Sequence, residues 1–184
     1  MIKYITFIRH GKSTHNVDYN ERGEVAFMDP KHEDANLTEL GINQAQTLGK
    51  NIEKFELVVC SSLSRTLQTA LNVFGEVPII VLDELIEFPL GSHTLNKRKT
   101  KTELINLYPK NFNFDNISEN PPQLNKPEEL EDLKVRMLKF DRWIDKRPES
   151  KIAVVGHCSF ISEFLNIPKN EIKHCSPISR KFLN

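Results

Sequence analysis

The sequence predicts an α/β fold, a three-layer α/β/α sandwich around a mainly parallel sheet. Four short runs rich in valine and isoleucine have the length and composition of buried strands. Amphipathic helical patterns separate them, and strands that alternate with helices are typical of a parallel sheet with helices on both faces. The predicted strands are residues 5–8, 57–60, 79–82 and 152–155.

Three helices are predicted from apolar residues at three- and four-residue spacing. The first covers residues 37–52, with Thr38 placed to cap its N-terminus. The second covers residues 67–74 and ends at Gly75, because glycine favours a helix C-terminus. The third runs from about residue 128 to 144. Its expected buried side chains are Leu130, Leu133, Met137, Phe140, Trp143 and Ile144.

The length of the chain, 184 residues, is most simply one domain with a full core. Residues 88–127 interrupt the alternation of strands and helices, because they are rich in asparagine, lysine and proline and include the irregular stretch "SENPPQLNKP". We expect a single domain over residues 1–184, with residues 88–127 inserted over the active-site edge of the sheet.

Composition narrows the class of partner. Lys+Arg and Asp+Glu are both 25, so no net field favours nucleic acid or a membrane surface, although a small anionic substrate needs only a few local cations. Residues 1–4 lead directly into a strand, without a signal-peptide pattern or a membrane-spanning stretch. Cys60, Cys158 and Cys175 are odd in number and widely spaced, which suits a reducing cytosol. A cytoplasmic protein is therefore expected.

The first predicted strand leads into Gly11, Lys12 and Ser13, which is how a phosphate-binding P-loop ends. A P-loop also needs a glycine five positions before Gly11, where its backbone N–H groups wrap the phosphates. That position is Thr6, and no glycine precedes Gly11 in the chain. The sequence therefore excludes a P-loop here.

Polar residues follow each of the four predicted strands. In open α/β sheets, function gathers at the carboxyl ends of the strands, so these residues are expected to meet at one edge. Two histidines, two arginines and a carboxylate would then share a site. They are Arg9 and His10 after the first strand, Arg65 after the second, Glu87 (or Glu84) after the third, and His157 after the fourth.

This set of side chains suits phosphoryl transfer. Arginines match phosphate oxygens bidentately and stay charged at any useful pH. A neutral imidazole is a competent nucleophile, and nearby arginines lower its pKa and keep it neutral. A second histidine can hydrogen-bond a phosphate oxygen, and a carboxyl group can protonate the leaving alkoxide.

Several other residues have simpler interpretations. The remaining histidines, His15, His32, His93 and His174, are expected to be packing or surface residues, and none has the spacing of a zinc site. Cys158 is expected to be a small residue at a tight turn rather than a reactive thiol. The basic run at residues 97–101 is interpreted as a solvated face, because no aromatic residues interleave with it. Within that run, Arg98 or a neighbouring lysine is a candidate for binding a second anionic group of a substrate.

Four blocks of the sequence carry a family resemblance. In chain order they are "RHGKSTHN", "DANLTELGINQAQTLG", "VVCSSLSRTLQTALNVF" and "IAVVGHCSFI". They resemble, in the same order, the blocks of the histidine phosphatase superfamily in its phosphoglycerate-mutase-like branch, and the first is similar to the RHGxSxxN signature of that branch. The resemblance covers residue 2 to about residue 165.

The resemblance implies a role for each matching residue. His10 would be the nucleophile that becomes phosphohistidine, and Arg9, Arg65 and His157 would complete the phosphate pocket. Asn16 would contact a phosphate oxygen, and with Ser13 it would belong to the substrate-binding set. Glu87 would be the proton donor and later the base, since Leu85, Glu87 and Gly91 fit the family's motif, with Glu84 as the alternative. The substrate would be a small phosphorylated molecule, with no cofactor and no metal.

Two departures from related patterns favour a hydrolase. The acid-phosphatase and phytase branch has RHGxRxP, whereas position 13 here is Ser13. Phosphoglycerate mutases are longer, and "EFPLGSHTLNKRK" does not match the run around their glutamate. A metal-independent phosphatase is therefore favoured. A phosphoglycerate-mutase-type isomerase and a catalytically silent binding module stay open, as do the substrate and the oligomeric state.

Overall fold

The computed structural model describes residues 2–183. Its centre is a six-stranded sheet with strand order β4-β3-β2-β5-β1-β6. All neighbouring strands are parallel except β1 and β6, which pair antiparallel. The strands are β1 (Ile2–Arg9), β2 (Leu57–Ser61), β3 (Ile79–Leu82), β4 (Phe112–Asn113), β5 (Lys151–Gly156) and β6 (Pro177–Leu183).

Helices cover both faces of this sheet. On one face, two helices contribute Phe140 and Phe160 to a core cluster; on the other, Leu67 and Leu104 pack on the sheet, which makes the predicted three-layer sandwich. No helix within residues 2–183 is long and apolar enough to cross a membrane. The helices are α1 (Thr14–Arg22), α2 (Glu39–Asn51), α3 (Ser64–Phe74), α4 (Lys101–Leu107), α5 (Leu130–Asp145) and α6 (Cys158–Leu165).

The four predicted strands are confirmed as β1, β2, β3 and β5. They are neighbours in the sheet and all parallel, so their carboxyl ends share one edge. Arg9 at the end of β1 is in register with Gly156 at the end of β5. Ser61 at the end of β2 is in register with Leu82 at the end of β3. The topology thus brings the residues that follow the strands to the same place.

The predicted helices are confirmed as α2, α3 and α5. The Thr38 hydroxyl accepts a hydrogen bond from the backbone N–H of Gly41, as expected of a cap, and α3 ends at Gly75, whose φ is +61°. In α5 the buried stripe begins at Leu133. The expectation that Leu130 is buried was wrong, because it lies in the first turn, before that stripe begins, and is 43% exposed.

Residues 88–127 contain more regular structure than the sequence indicated. Helix α4 begins at a capping box formed by Thr100 and Glu103, and β4 adds an edge strand through the pairing of Phe112 with Ile79. The antiparallel edge strand β6 was also not predicted. Its side chains are mostly exposed and it lacks a run of apolar residues, so hydrophobic patterning gave no signal.

A buried ion pair fastens the insertion to the sheet. The guanidinium of Arg98 donates to both carboxylate oxygens of Asp83, each at 2.8 Å, directly after β3. It also donates to the backbone carbonyls of Lys99, Ser118 and Asn120. The side chain of Arg98 is fully buried by these contacts. The expectation that Arg98 reaches a substrate was therefore wrong.

The loop after β1 lies unusually close to the start of α2. A Cβ atom on Gly41 would be 2.2 Å from the carbonyl oxygen of Lys12, and one on Gly11 would be 2.5 Å from the carbonyl oxygen of Gly41. The backbone N–H and the hydroxyl of Thr38 both donate to Lys12 O. Helix α2 thereby holds the loop that follows His10.

Substitution Gly41→Ala should destabilise the protein, by about 1–3 kcal/mol, because the new methyl group overlaps backbone that cannot move away. Without this contact the sign would reverse, since alanine is favoured over glycine inside a helix by about 1 kcal/mol. The measurement is the free energy of unfolding in urea. Gly156→Ala is the matched control, since its Cβ meets nothing closer than Ile161 at 3.8 Å. Stabilisation by Gly41→Ala would contradict the close approach.

Candidate active site

The residues that follow the predicted strands lie together at the carboxyl edge of the sheet. They are Arg9, His10, Arg65, Glu87 and His157. The ring centroids of His10 and His157 are 5.2 Å apart. Glu87 accepts a hydrogen bond from the backbone N–H of Ser159, two residues beyond His157. Glu84 instead lines a separate cleft of about 430 Å³ beside Val135 of α5, so Glu87 is the carboxylate near the histidines.

His10 is buried in a single tautomer. Its Nδ1 lies 2.7 Å from the carbonyl oxygen of Gly11. Because a carbonyl only accepts, Nδ1 carries the proton and Nε2 carries a free lone pair. Burial, and then the positive charge of Arg65, hold the pKa of His10 well below 6.5. His10 is therefore a neutral imidazole at physiological pH, the form that can attack phosphorus.

Arg65 is a fully buried cation without an acidic partner among residues 2–183. Its guanidinium donates to the carbonyl oxygen of Leu95 at 2.8 Å and to Oδ1 of Asn96 at 2.9 Å, and its Nε has no partner there. Burial lowers its pKa to about 10, so it stays charged at neutral pH. Arg9 resembles it, since Nη1 donates to Ile172 O and Nε is unpartnered. Within residues 2–183, no carboxylate therefore pairs with either of these two cations.

His157 is also fully buried and neutral. Its Nε2 lies 2.9 Å from the hydroxyl of Ser61, while its Nδ1 has no hydrogen-bond partner within the described chain. Burial, followed by the charge of Arg65, holds the pKa of His157 well below 6.5. If the Ser61 hydroxyl donates to Nε2, then Nδ1 carries a proton that is free to bond an anion. Ser61 at the end of β2 therefore sets which ring nitrogen is available.

Glu87 sits at the N-terminus of α6. One carboxylate oxygen accepts from the backbone N–H groups of Phe88 (2.9 Å) and Phe160 (3.1 Å), and the other accepts from Ser159 (3.1 Å). A helix N-terminus favours negative charge, and three N–H donors stabilise a carboxylate there. These contacts therefore fix the orientation of the Glu87 carboxyl group beside the two histidines.

A second ion pair fixes the segment that carries Glu87. Arg136 of α5 donates to the backbone carbonyls of Glu84 and Ile86, and it makes a two-pronged pair with the carboxylate of Glu128. Glu128 in turn accepts from the backbone N–H of Leu90 at 2.9 Å. Sequence reasoning missed both residues, because nothing local marks a contact between positions 50 residues apart.

Ser13 and Asn16, predicted to bind substrate, are hydrogen-bonded to each other and to His15. The Ser13 hydroxyl donates to Oδ1 of Asn16 (2.7 Å), Nδ2 of Asn16 is 2.9 Å from Nε2 of His15, and Nδ1 of His15 is 2.9 Å from the Ser13 hydroxyl. The three side chains close a ring of hydrogen bonds in which His15 is neutral. Burial, then Arg65, lowers the pKa of His15 to about 2.

Three histidines expected to be packing or surface residues lie at the site. His15 and His93 line its cleft, and Nδ1 of His174 donates to the backbone carbonyl of His10 at 2.7 Å. The position of His15 inside "RHGKSTHN" was the one available signal. Asp34 was also missed. Its carboxylate accepts from the backbone N–H and the hydroxyl of Ser64 at the start of α3, which carries Arg65.

A cleft of about 220 Å³ opens onto these residues. No group of three or more His, Cys, Asp or Glu side chains with the geometry to hold a metal ion occurs in residues 2–183. The lining of the cleft combines polar or charged side chains with aromatic and apolar ones. The polar or charged group is His15, Glu24, Arg65, Glu87, Asn96, Ser159 and Lys169, and the aromatic and apolar group is Phe27, Phe88, Pro89, His93 and Leu95.

Comparison with known proteins identifies related sequences. The family model described as "Histidine phosphatase superfamily (branch 1)" matches residues 5–176. Phosphoglycerate mutase-like protein 1 of Arabidopsis thaliana is 31% identical over an alignment 217 positions long, which covers 97% of this chain and 75% of the relative. A second Arabidopsis protein, named phosphoglycerate mutase-like protein, is 30% identical over 89% of this chain and 74% of its own length.

Solved structures share the fold at low sequence identity. A putative alpha-ribazole-5'-P phosphatase from Escherichia coli superposes with a TM-score of 0.61 at 23% identity, covering 92% of this chain and 83% of that one. Phosphoserine phosphatase from Entamoeba histolytica, in complex with 3-phosphoglyceric acid, gives 0.56 at 18% identity and covers 96% of this chain and 89% of that one. A mycobacterial glucosyl-3-phosphoglycerate phosphatase superposes with a TM-score of 0.61 at 18% sequence identity, covering 98% of this chain and 91% of that one.

The neutral histidines make stability depend on pH in a defined direction. The pKa of His15 falls from 6.5 to about 2 on folding, so the unfolded chain binds the proton first as pH decreases. Its contribution is fully present above about pH 6.5 and is lost progressively as pH falls, at about 1.4 kcal/mol per pH unit. His15→Gln should remove that contribution. Urea unfolding at pH 7, 6 and 5 should give a shallower slope for the variant, and parallel curves would contradict a neutral buried His15.

Proposed function

The chain belongs to the histidine phosphatase superfamily (branch 1), and we propose that it is a metal-independent phosphomonoesterase that works through a phosphohistidine at His10. The observation that carries this proposal is the pairing of a neutral nucleophile with unneutralised cations. His10 offers an unprotonated Nε2, while Arg65 and Arg9 have no carboxylate partner among residues 2–183. A phosphate dianion has the charge and the acceptor oxygens that this arrangement lacks.

In the first half-reaction the phosphate of the ester binds to Arg65, Arg9 and the free Nδ1 of His157. The lone pair on Nε2 of His10 attacks phosphorus, and the bond between phosphorus and the ester oxygen breaks. Glu87, in its protonated form, transfers its proton to the departing alkoxide. Its three backbone N–H donors stabilise the carboxylate that remains.

In the second half-reaction the Glu87 carboxylate accepts a proton from water. The hydroxide oxygen bonds to phosphorus while the bond between phosphorus and Nε2 of His10 breaks, which releases inorganic phosphate and restores the neutral imidazole. The hydrogen bond from Nδ1 to Gly11 O keeps the ring oriented in both steps. The cations stay in place throughout, so little reorganisation is needed as charge moves.

Relatives favour hydrolysis over isomerisation, although a mutase is the second candidate. The structural relatives are described as phosphatases, whereas the Arabidopsis relatives are named phosphoglycerate mutase-like. The two activities differ in the fate of the phosphoryl group, which passes to water in one case and to a second hydroxyl in the other. Transfer from a phosphorylated primer without phosphate release would identify the mutase. A catalytically silent module is disfavoured because all five residues of the set are present.

His10→Ala should abolish phosphate release from p-nitrophenyl phosphate, lowering kcat by about 10⁴-fold or more, since no second group replaces the nucleophile. A ³²P-labelled substrate should leave an acid-labile label on the denatured wild-type protein, and the His10→Ala variant should carry no such label. The matched control is Cys158→Ala, which removes the thiol next to His157 in the sequence. Burial raises the pKa of that thiol, so it is a poor nucleophile and its loss should be tolerated. A label that is lost in Cys158→Ala but kept in His10→Ala would overturn the mechanism.

Glu87→Gln should slow esters with poor leaving groups much more than p-nitrophenyl phosphate. General acid catalysis is typically worth about 10²- to 10⁴-fold, and p-nitrophenolate needs little of it. The measurement is kcat for a primary alkyl phosphate and for p-nitrophenyl phosphate, with Glu84→Gln as the control. Equal losses on both substrates with Glu87→Gln, or a selective loss with Glu84→Gln, would remove Glu87 from the proton-donor role.

A further inference from the structure

Part of the cleft lining is an aromatic wall, which we define as Phe27 and His93 with Tyr19 behind them. The ring of Phe27 stacks on that of Tyr19 at 5.0 Å between centroids and 5° between planes, and it lies 5.1 Å from the ring of His93. Phe27 and His93 both line the cleft. Burial lowers the pKa of His93, so its ring is uncharged at neutral pH.

This aromatic wall is held in a fixed position. Phe27 ends the short turn that follows α1, and its carbonyl oxygen accepts a hydrogen bond from the Thr94 hydroxyl at 3.2 Å. The same hydroxyl lies 3.2 Å from the carbonyl oxygen of Asp29. The segment that carries Phe27 is therefore tied to the segment that carries His93. Two distant parts of the chain thus bring two rings together beside Arg65 and Glu87, with their planes inclined by 43°.

The charges around the cleft disfavour a second anionic group on the substrate. Each member of the basic run at residues 97–99 is already paired: Lys97 with Glu33, Arg98 with Asp83 and Lys99 with Asp34.

Within the cleft lining, the cations are Arg65, which serves the phosphate, and Lys169, while the acidic residues are Glu24 and Glu87. The alcohol half of a substrate thus meets aromatic rings and two opposite charges, Lys169 and Glu24, rather than a cationic pocket.

We infer that the preferred substrate is the phosphate monoester of a small, uncharged alcohol that carries one aromatic or heteroaromatic ring, in contact with the rings of Phe27 and His93. This inference rests on the proposed phosphatase activity. Clefts for drug-sized ligands measure roughly 300–1,000 Å³, so the 220 Å³ here suits a single ring beyond the phosphate. An aromatic ring prefers offset-stacked or edge contacts with other rings, which this wall supplies.

The test compares three esters of primary or secondary alkyl alcohols, so that leaving-group chemistry is similar. Benzyl phosphate carries a neutral aromatic ring, cyclohexylmethyl phosphate a neutral ring of the same size without π electrons, and 3-phosphoglycerate a carboxylate. We expect kcat/KM for benzyl phosphate to exceed that for cyclohexylmethyl phosphate by about three- to tenfold, the usual range for an aromatic contact. The excess over 3-phosphoglycerate should be larger.

The variant Phe27→Leu keeps an apolar side chain but removes the ring. Its ratio of benzyl to cyclohexylmethyl kcat/KM should fall toward one, chiefly through a higher KM for benzyl phosphate. Because the ratio is taken within one protein, partial misfolding cancels, and circular dichroism checks the fold. The substrate inference is overturned if the wild-type ratio is already near one, if 3-phosphoglycerate is preferred, or if Phe27→Leu leaves the ratio unchanged.

Failure of the substrate inference and failure of the proposed function give different results. His10-dependent release from p-nitrophenyl phosphate, together with any of those three outcomes, removes the aromatic preference and leaves the phosphatase standing. Absence of His10-dependent release from every ester, p-nitrophenyl phosphate included, overturns both.

Discussion

The site depends on a buried positive charge, that of Arg65, which forms no ion pair with any carboxylate in residues 2–183. Arg65 is fully buried, yet its hydrogen bonds within residues 2–183 go to a backbone carbonyl and an amide oxygen rather than to a carboxylate. Burying an unpaired charge costs several kcal/mol in folded proteins. Its place in the first turn of α3 adds to that cost, because a helix N-terminus disfavours cations. Selection for stability alone would not retain a buried arginine without an ion pair, whereas a site that binds an anion needs such a charge.

The surrounding structure limits the cost of that charge. The carboxylate of Asp34 accepts the first N–H of α3 through Ser64 and pairs with Lys99, so negative charge stands near the helix start without touching the guanidinium. Asn96 and Leu95, in the insertion, hold two of the Arg65 nitrogens. Residues 88–127 therefore help to hold the Arg65 side chain in place. The attachment of this segment through Arg98 and Asp83 supports the position of Arg65, the arginine that we propose binds phosphate.

The same charge determines the protonation of its neighbours. It is the largest electrostatic contribution, after burial, to the lowered pKa values of His10, His15 and His157. Each of the three imidazole rings is thereby neutral, and its hydrogen bonds determine which ring nitrogen carries the proton. We propose that one type of side chain thus has three roles: His10 is the nucleophile, His157 a hydrogen-bond donor, and His15 a member of a hydrogen-bonded ring. The three differ in their hydrogen-bond partners. The chemistry follows from the environment of each histidine rather than from its identity.

Much of this site was predictable, because parallel strands bring their carboxyl ends together. The positions of Arg9, His10, Arg65 and His157 follow from locating four strands, and Glu87 follows from motif spacing. Contacts between distant segments could not be predicted in this way. Arg136 reaches the Glu87 segment from a helix about 50 residues away, and Phe27 meets His93 across two loops. Such pairings depend on how loops fold over the sheet, which periodicity does not encode.

The central claim is that His10 is held as a neutral imidazole with its proton on Nδ1. The most direct test is ¹⁵N nuclear magnetic resonance of the histidine rings, with long-range proton–nitrogen correlations recorded from pH 5 to pH 8 and His10 assigned by substitution. We expect His10 to show a protonated Nδ1 and an unprotonated Nε2 across this range. A titration near pH 6.5, or a proton on Nε2 of the neutral ring, would contradict the claim and with it the nucleophilic role of His10.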